Sequence, residues 1–151
     1  MSFLVPAYNE AATIGDLLNA VWALELEKQI VALGDKAIGV DADVSKVEDL
    51  QRLVDAAVKE FGRLDVMVNN AGIQQPLVQV VETTEAIYRE VMDTNLWGVI
   101  TGCRAAGRVM RSQGSGAVIN TASQLGKIAF ETWGVYSASK AGVIAITQAM
   151  A

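Results

Sequence analysis

The 151-residue chain has no histidine and one cysteine, Cys103. Without imidazole and with one thiol, the usual zinc ligand sets cannot be assembled and no internal disulfide can form, so no metal centre is expected. Any acid–base chemistry must use a group other than imidazole, the side chain that ordinarily titrates near neutral pH. No apolar run reaches the ~18 residues of a membrane span. The opening M-S-F-L-V-P-A-Y lacks the basic region that begins a signal peptide. Twelve basic residues stand against 17 acidic ones, a net charge of −5, which argues against nucleic acid or a membrane surface as partner. A reduced, cytoplasmic setting is expected. There are two prolines, and no repeat, low-complexity tract or linker divides the chain. One domain over residues 1–151 is expected.

Apolar residues make up 52% of the chain and charged ones 19%, enough to bury a full core. Phe3-Leu-Val5 followed by Pro6 reads as a buried strand ending in a turn. Residues 11–33 read as helical, closed by Gly34. Their stripe Ile14, Leu17, Leu18, Val21 and the next stripe Leu26, Ile30, Leu33 are offset by roughly 130°, which marks a seam near residues 22–26. Ala37-Ile-Gly-Val40 reads as a strand. Ser45 and Glu48 suit a capping box ahead of a helix with Leu50, Leu53, Val54, Ala57, Val58 and Phe61 on one face and Gly62 at its end. Leu64–Val68 is a strand running into N-N-A-G. A helical region over 83–112 carries Ile87, Val91, Val99, Ile100, Cys103, Val109 and Met110 on its apolar face. Gly98, Gly102 and Gly107 within it suggest close helix–helix approach. Ala117–Asn120 is the next strand, and a last helix runs from near Tyr136 to Ala151.

Strands that alternate with helices and are themselves apolar runs predict an α/β fold: a three-layer, Rossmann-like parallel sheet with helices on both faces. Four strands are expected, with the first between 37–40 and 64–68. Ligands of such sheets sit at the carboxyl ends of the strands. Asp41–Val44, Asn69–Gly72 and Thr121–Ser123 should therefore open on one edge.

The stretch G134-V-Y-S-A-S-K-A-G142 places Tyr136 and Lys140 one helical turn apart. Such pairs are ordinarily surface neighbours. A free tyrosine titrates near ~10, and a neighbouring cation favours the phenolate, so this pair could move a proton without imidazole. Five pieces together, D43-V44, G62-R-L-D-V-M-V-N-N-A-G72, D93-T-N-L-W-G98, V118-I-N-T-A-S123 and Y136-S-A-S-K140, resemble the central part of a short-chain dehydrogenase/reductase, an NAD(P)-dependent oxidoreductase family. The resemblance covers residues 24–151. It implies that Tyr136 is the general acid/base and that Ser123 orients the substrate carbonyl. Lys140 would tune the tyrosine and bond the nicotinamide ribose, and Asn95 would hold a relay water. Asp43 and Val44 would line an adenine pocket, with Asn70, Ala71 and Gly72 against a ribose of NAD or NADP. The implied substrate is a small alcohol or ketone. Ala105, Ala106 and Gly107 suit a contact with a second copy of the chain, giving a homo-oligomer.

The family's opening glycine-rich turn is replaced by S2-F-L-V-P-A-Y-N-E-A-A-T-I-G15, where Glu10 brings a negative charge to the phosphate position. The family's second strand, its substrate-covering loop and its last strands are also missing from the sequence. Weak cofactor binding and little turnover follow as expectations for the chain alone. Residues 1–23, an atypical strand–helix, resemble the opening of family 2 glycosyltransferases, and D41-A-D43 imitates that family's metal-binding aspartates. A junction near Trp22–Leu26 accounts for both resemblances. Two alternatives accompany the oxidoreductase reading: a non-catalytic chimeric or fragment module, and a nucleotide-sugar-binding remnant.

Overall fold

The computed structural model describes residues 3–4, 25 and 27–151, with residues 3–4 described by their backbone. The first-strand ending at Val5–Pro6, the stripe over 14–21, the phosphate position and all of the seam at 22–26 except residue 25 lie outside these residues. Helical backbone at residues 27–32 (α1) ends at Gly34, whose φ of 91° is the left-handed conformation of a helix stop.

Three strands form one parallel sheet in the order β1 (Phe3–Leu4), β2 (Val66–Asn69), β3 (Ala117–Asn120). Phe3 pairs with Val66, Val66 with Ala117, and Asn69 with Asn120. Residues 35–40 carry no strand, so the expected strand at 37–40 is corrected. In the doubly wound order 3-2-1-4-5-6 the equivalent strand pairs with one lying between it and the first. This chain has no apolar run to supply that intermediate strand, so 37–40 has no ladder to join, and Ile38 is 38% exposed.

Helix α2 (Val47–Phe61) buries Leu50, Leu53, Val54 and Ala57, the stripe expected from sequence, and ends at Gly62 with φ 78°. Each such aliphatic side chain contributes ~1.5–3 kcal/mol when fully buried. The expected capping box does not form: Lys46 is the N-cap and donates no side-chain cap. Ser45 Oγ instead donates to Asp43 Oδ1 at 2.7 Å, and Asp49 Oδ2 accepts the Asp43 N–H at 2.9 Å. The helix starts one residue later than the capping box requires, which leaves Ser45 ahead of the N-cap position.

The long helical region is three consecutive pieces. Thr84 caps α3 (Glu85–Met92) through the Ile87 N–H. A π-helical turn covers Asp93–Trp97, closed by the Gly98 N–H donating to the Asp93 carbonyl, and α4 (Gly98–Gln113) follows. Gly98 and Gly102 serve the sheet edge and not another helix. A methyl at Gly98 would meet the Val44 carbonyl oxygen at 3.1 Å, and one at Gly102 would collide with the Asn69 side chain. A methyl at Gly107 meets nothing within 4 Å.

The main core gathers Leu50, Leu53, Val54, Ala57, Leu64, Met67 and Met110, together with Ala105 and Ala106. Those two alanines are 5% and 0% exposed, which corrects their expected place in a subunit contact. They pack inward because α4 turns that face to α2 and β2. A second cluster of Val99, Cys103 and Val143 joins α4 to α5 (Gly134–Met150). Burial pushes the Cys103 thiol up, against its hydrogen bonds with Asn120, which accepts from the thiol, and Asn69, which donates to it. Strand β2 is buried, whereas β3 is half-exposed, with Ile119 at 53%. Among the described residues no helix is long and apolar enough to cross a membrane.

Candidate active site

The site forms where β2 and β3 end. The Thr121 N–H donates to the Asn69 carbonyl at 3.0 Å, continuing the ladder past the strands. Thr121 Oγ1 then donates to Asn70 Oδ1 at 3.0 Å. Asn69 Nδ2 donates to Asn120 Oδ1 at 2.8 Å, and Asn120 Nδ2 to Thr147 Oγ1 at 3.0 Å, which ties both strand ends to α5. The loops expected to open on one edge do so. Val44, Asn69, Ala71, Thr94, Gly98 and Val99 line a small cleft there.

Helix α5 turns a polar face inward: Ser137, Ser139 and Lys140 are buried beside Val143. A helix that packed only for stability would bury apolar side chains, so this inversion marks a working surface. Lys140 is 4% exposed and donates to the Thr121 carbonyl at 2.9 Å. Its Nζ lies 5.8 Å from the Tyr136 ring centroid, within cation–π reach. Burial lowers the Lys140 pKa from its ordinary value. Trp133 meets the Tyr136 ring edge-on, with centroids 5.4 Å apart. The Tyr136 hydroxyl makes no hydrogen bond with Ser123 or Lys140 among the described residues.

Asn95, on the π-turn, is fully buried. Its Oδ1 accepts the Ile73 N–H at 2.7 Å, and its Nδ2 donates to the Ile73 carbonyl at 2.9 Å and to Ser139 Oγ at 3.3 Å. Gly72 lies against this group: an added methyl would stand 3.2 Å from Asn95 Oδ1 and 3.4 Å from Lys140 Nζ. Asn95, Gly72 and Lys140 therefore meet, with the Tyr136 ring centroid 5.8 Å from the Lys140 ammonium.

Ser123 stands at the start of the short 3-10 turn Gln124–Gly126, its Oγ accepting the Leu125 N–H at 3.2 Å. That turn packs on α5 at Lys140, where a methyl on Gly126 would come 2.7 Å from the Lys140 carbonyl carbon. Val44 lines the cleft, but Asp43 is engaged within its own loop. Burial pushes its carboxyl up, and hydrogen bonds from Ser45 with the Lys46 ammonium at 3.3 Å outweigh that and hold it below the ordinary value.

Sequence reasoning missed Thr94, Ser139 and Gln75. Thr94 and Ser139 were visible only as neighbours of Asn95 and Lys140. Gln75 sits in a loop with no periodicity to single it out, yet it is 5% exposed.

A parallel sheet whose loops and small-residue cleft gather at the carboxyl ends of its strands is the arrangement in which open α/β folds bind ligands. The sequence pattern of the short chain dehydrogenase family matches residues 14–151, and the chain belongs to that family. The match begins ahead of the expected junction at residues 22–26. An uncharacterized oxidoreductase of Methylorubrum extorquens is 41% identical over 122 residues, covering 81% of this chain and 48% of that protein. The 3beta-hydroxysteroid dehydrogenase 2 of Eggerthella lenta is 38% identical over 135 residues, covering 89% and 52%. Among solved structures, a short-chain dehydrogenase/reductase of Burkholderia phymatum in complex with NAD superposes with a TM-score of 0.82 at 31% identity, covering 87% of this chain and 47% of that one. The chain thus spans about half the length of the relatives it matches.

Proposed function

We propose that this chain is the hydride-transfer core of an NAD(P)-dependent oxidoreductase that interconverts a secondary alcohol and a ketone. The observation that carries the reading is the buried Lys140 ammonium, fixed by the Thr121 carbonyl beside the Tyr136 ring at the carboxyl edge of the sheet. The hydroxysteroid named for one relative is a secondary alcohol of this kind.

The residues present fit a dinucleotide. Val44, Ala71 and Gly98 line the small cleft that a flat base would have to enter, and a methyl at Gly72 would stand against Asn95 and Lys140. Asn70, Ala71 and Gly72 would hold a ribose, and the Lys140 ammonium the nicotinamide ribose hydroxyls. When bound, the nicotinamide supplies the acceptor or donor of the hydride.

Tyr136 takes the proton from the alcohol oxygen as the hydride leaves the carbon, and returns it to the ketone oxygen in reduction. Ser123 Oγ donates a hydrogen bond to the same oxygen, where negative charge develops. Lys140 stabilises negative charge on the phenol oxygen through its own positive charge. Asn95 holds Ile73, and hence the floor of the site, and carries the relay water.

Affinity for dinucleotide is weak in this reading, because the sequence carries no glycine-rich turn to cradle the phosphates. The test is fluorescence titration with reduced nicotinamide dinucleotide, then reduction of a cyclic ketone by the chain and by Tyr136→Phe. The expected result is affinity weaker than micromolar and slow turnover that Tyr136→Phe lowers by about 10²–10⁴-fold. Equal rates in the two proteins would remove the phenol from the mechanism and leave a non-catalytic module.

A further inference from the structure

Helix α5 begins without a cap of its own. Its N-cap, Trp133, offers no side-chain acceptor, and the residue before, Thr132, has a left-handed φ of 68°. A threonine in that region is strained by ~1–2 kcal/mol and persists only when its surroundings hold it. Gln75 is what holds it. Its Nε2 donates to the Thr132 carbonyl at 2.8 Å, and its Oε1 accepts the Tyr136 N–H at 2.7 Å. One amide clamps both sides of the turn that enters the helix, from 61 residues away in sequence.

The clamp closes a circuit. Gln75 lies two residues beyond Ile73, whose N–H and carbonyl are both held by the Asn95 amide. Asn95 Nδ2 donates to Ser139 Oγ at 3.3 Å, and Ser139 Oγ donates to the Tyr136 carbonyl at 2.7 Å. The backbone of Tyr136 is therefore gripped at its N–H by Gln75 and at its carbonyl by Ser139, and both grips trace back to Asn95.

We infer that Gln75 is a positioning residue for Tyr136: it sets where α5 starts, and so where the phenol stands relative to Lys140. The inference rests on the oxidoreductase reading for its functional consequence, but not for its geometry. The requirement is for glutamine in particular. The position needs one acceptor and one donor on the same planar group, which an ionised glutamate cannot supply and an asparagine is too short to span.

The test compares the chain with Gln75→Leu and Gln75→Glu by two readouts. In the first, nuclear Overhauser contacts between the Tyr136 and Trp133 rings and hydrogen exchange at the Tyr136 amide report position without any turnover. Both variants should keep the α2 core amides protected, with Gln75→Leu losing the ring contacts and exchanging the Tyr136 amide at least about tenfold faster. Gln75→Glu should keep the Tyr136 amide protected but free Thr132. In the second readout, ketone reduction at saturating reduced nicotinamide, Gln75→Leu should lower kcat about tenfold or more with KM for the dinucleotide within about twofold, the pattern of a misplaced reacting group. Unchanged ring contacts and an unchanged kcat in Gln75→Leu would overturn the inference. Absence of turnover in the unaltered chain would count against the oxidoreductase reading alone, since the ring contacts decide the positioning role by themselves.

Discussion

The two ends of the site are built on opposite principles. At the tyrosine end, position is set by hydrogen bonds that run to backbone atoms: Asn95 to Ile73, Gln75 to Thr132 and Tyr136, Lys140 to Thr121. At the cleft end, position is set by what is missing: Gly98 lies against Val44 and Gly102 against Asn69, with Ala71 also lining the cleft. A proton moves along a direction, so the group that moves it must be held in orientation as well as place. A flat base needs only space and dispersion contact. Directional bonds at one end and absent side chains at the other follow from that difference.

The contrast is broken most forcefully at Asn95. Asn95→Leu leaves the Ile73 N–H and carbonyl without their partners, and urea unfolding should show a loss of about 3 kcal/mol. A loss below about 1 kcal/mol would mean that water replaces the amide and that the bracket is not rigid. The opposite behaviour is expected at the cleft. Gly98→Ala gains helix propensity, which offsets the crowding against Val44, so stability should change by less than about 1 kcal/mol. Dinucleotide affinity in the same variant should fall about tenfold, because the methyl pushes Val44 out of its place beside the cleft; equal affinity would place the base elsewhere.

Smaller effects come from the charged groups. The folded Asp43 carboxyl titrates below its ordinary value of 3.8, so it stabilises the fold above that value and ceases to do so as pH falls through the folded one. Asp43→Asn should cost about 1 kcal/mol at neutral pH, and thermal melts should show the two proteins converging in acid. Lys140 has the opposite sign. Its folded pKa is lowered from 10.5 by burial, so between the folded and unfolded values the unfolded chain binds more protons and stability rises with pH. Melts across the alkaline range should show that rise in the unaltered chain and not in Lys140→Met. A common slope would mean that the ammonium stays well solvated.

Much of this arrangement was readable in advance where the physics is local. The α2 stripe, Gly62 as its stop, the β2 and β3 runs, and the pairing of Tyr136 with Lys140 each depend on residues within one or two turns. The order of the sheet was partly readable: β1 beside β2 is as expected, while 37–40 needed a neighbouring strand that the sequence lacks. The serine at 45 misled because the helix begins one residue later, with Lys46 at the N-cap. The glycines of α4 were read as helix contacts because sequence reports closeness without naming what comes close. Gln75 was invisible for a related reason: its partners lie 57 and 61 residues away, and no spacing rule connects an irregular loop to a helix start.

The π-turn at Asp93–Trp97 holds one residue more than an α-helical turn would. Thr94 and Asn95 are both buried there although they are adjacent. Shortening the chain by one amino acid within this turn would return it to ordinary helical winding, with Val91 before it and Val99 after it still facing the interior. The fold could thus absorb a deletion that the chemistry could not, since the vanished residue is the surplus that lets an amide reach Ile73.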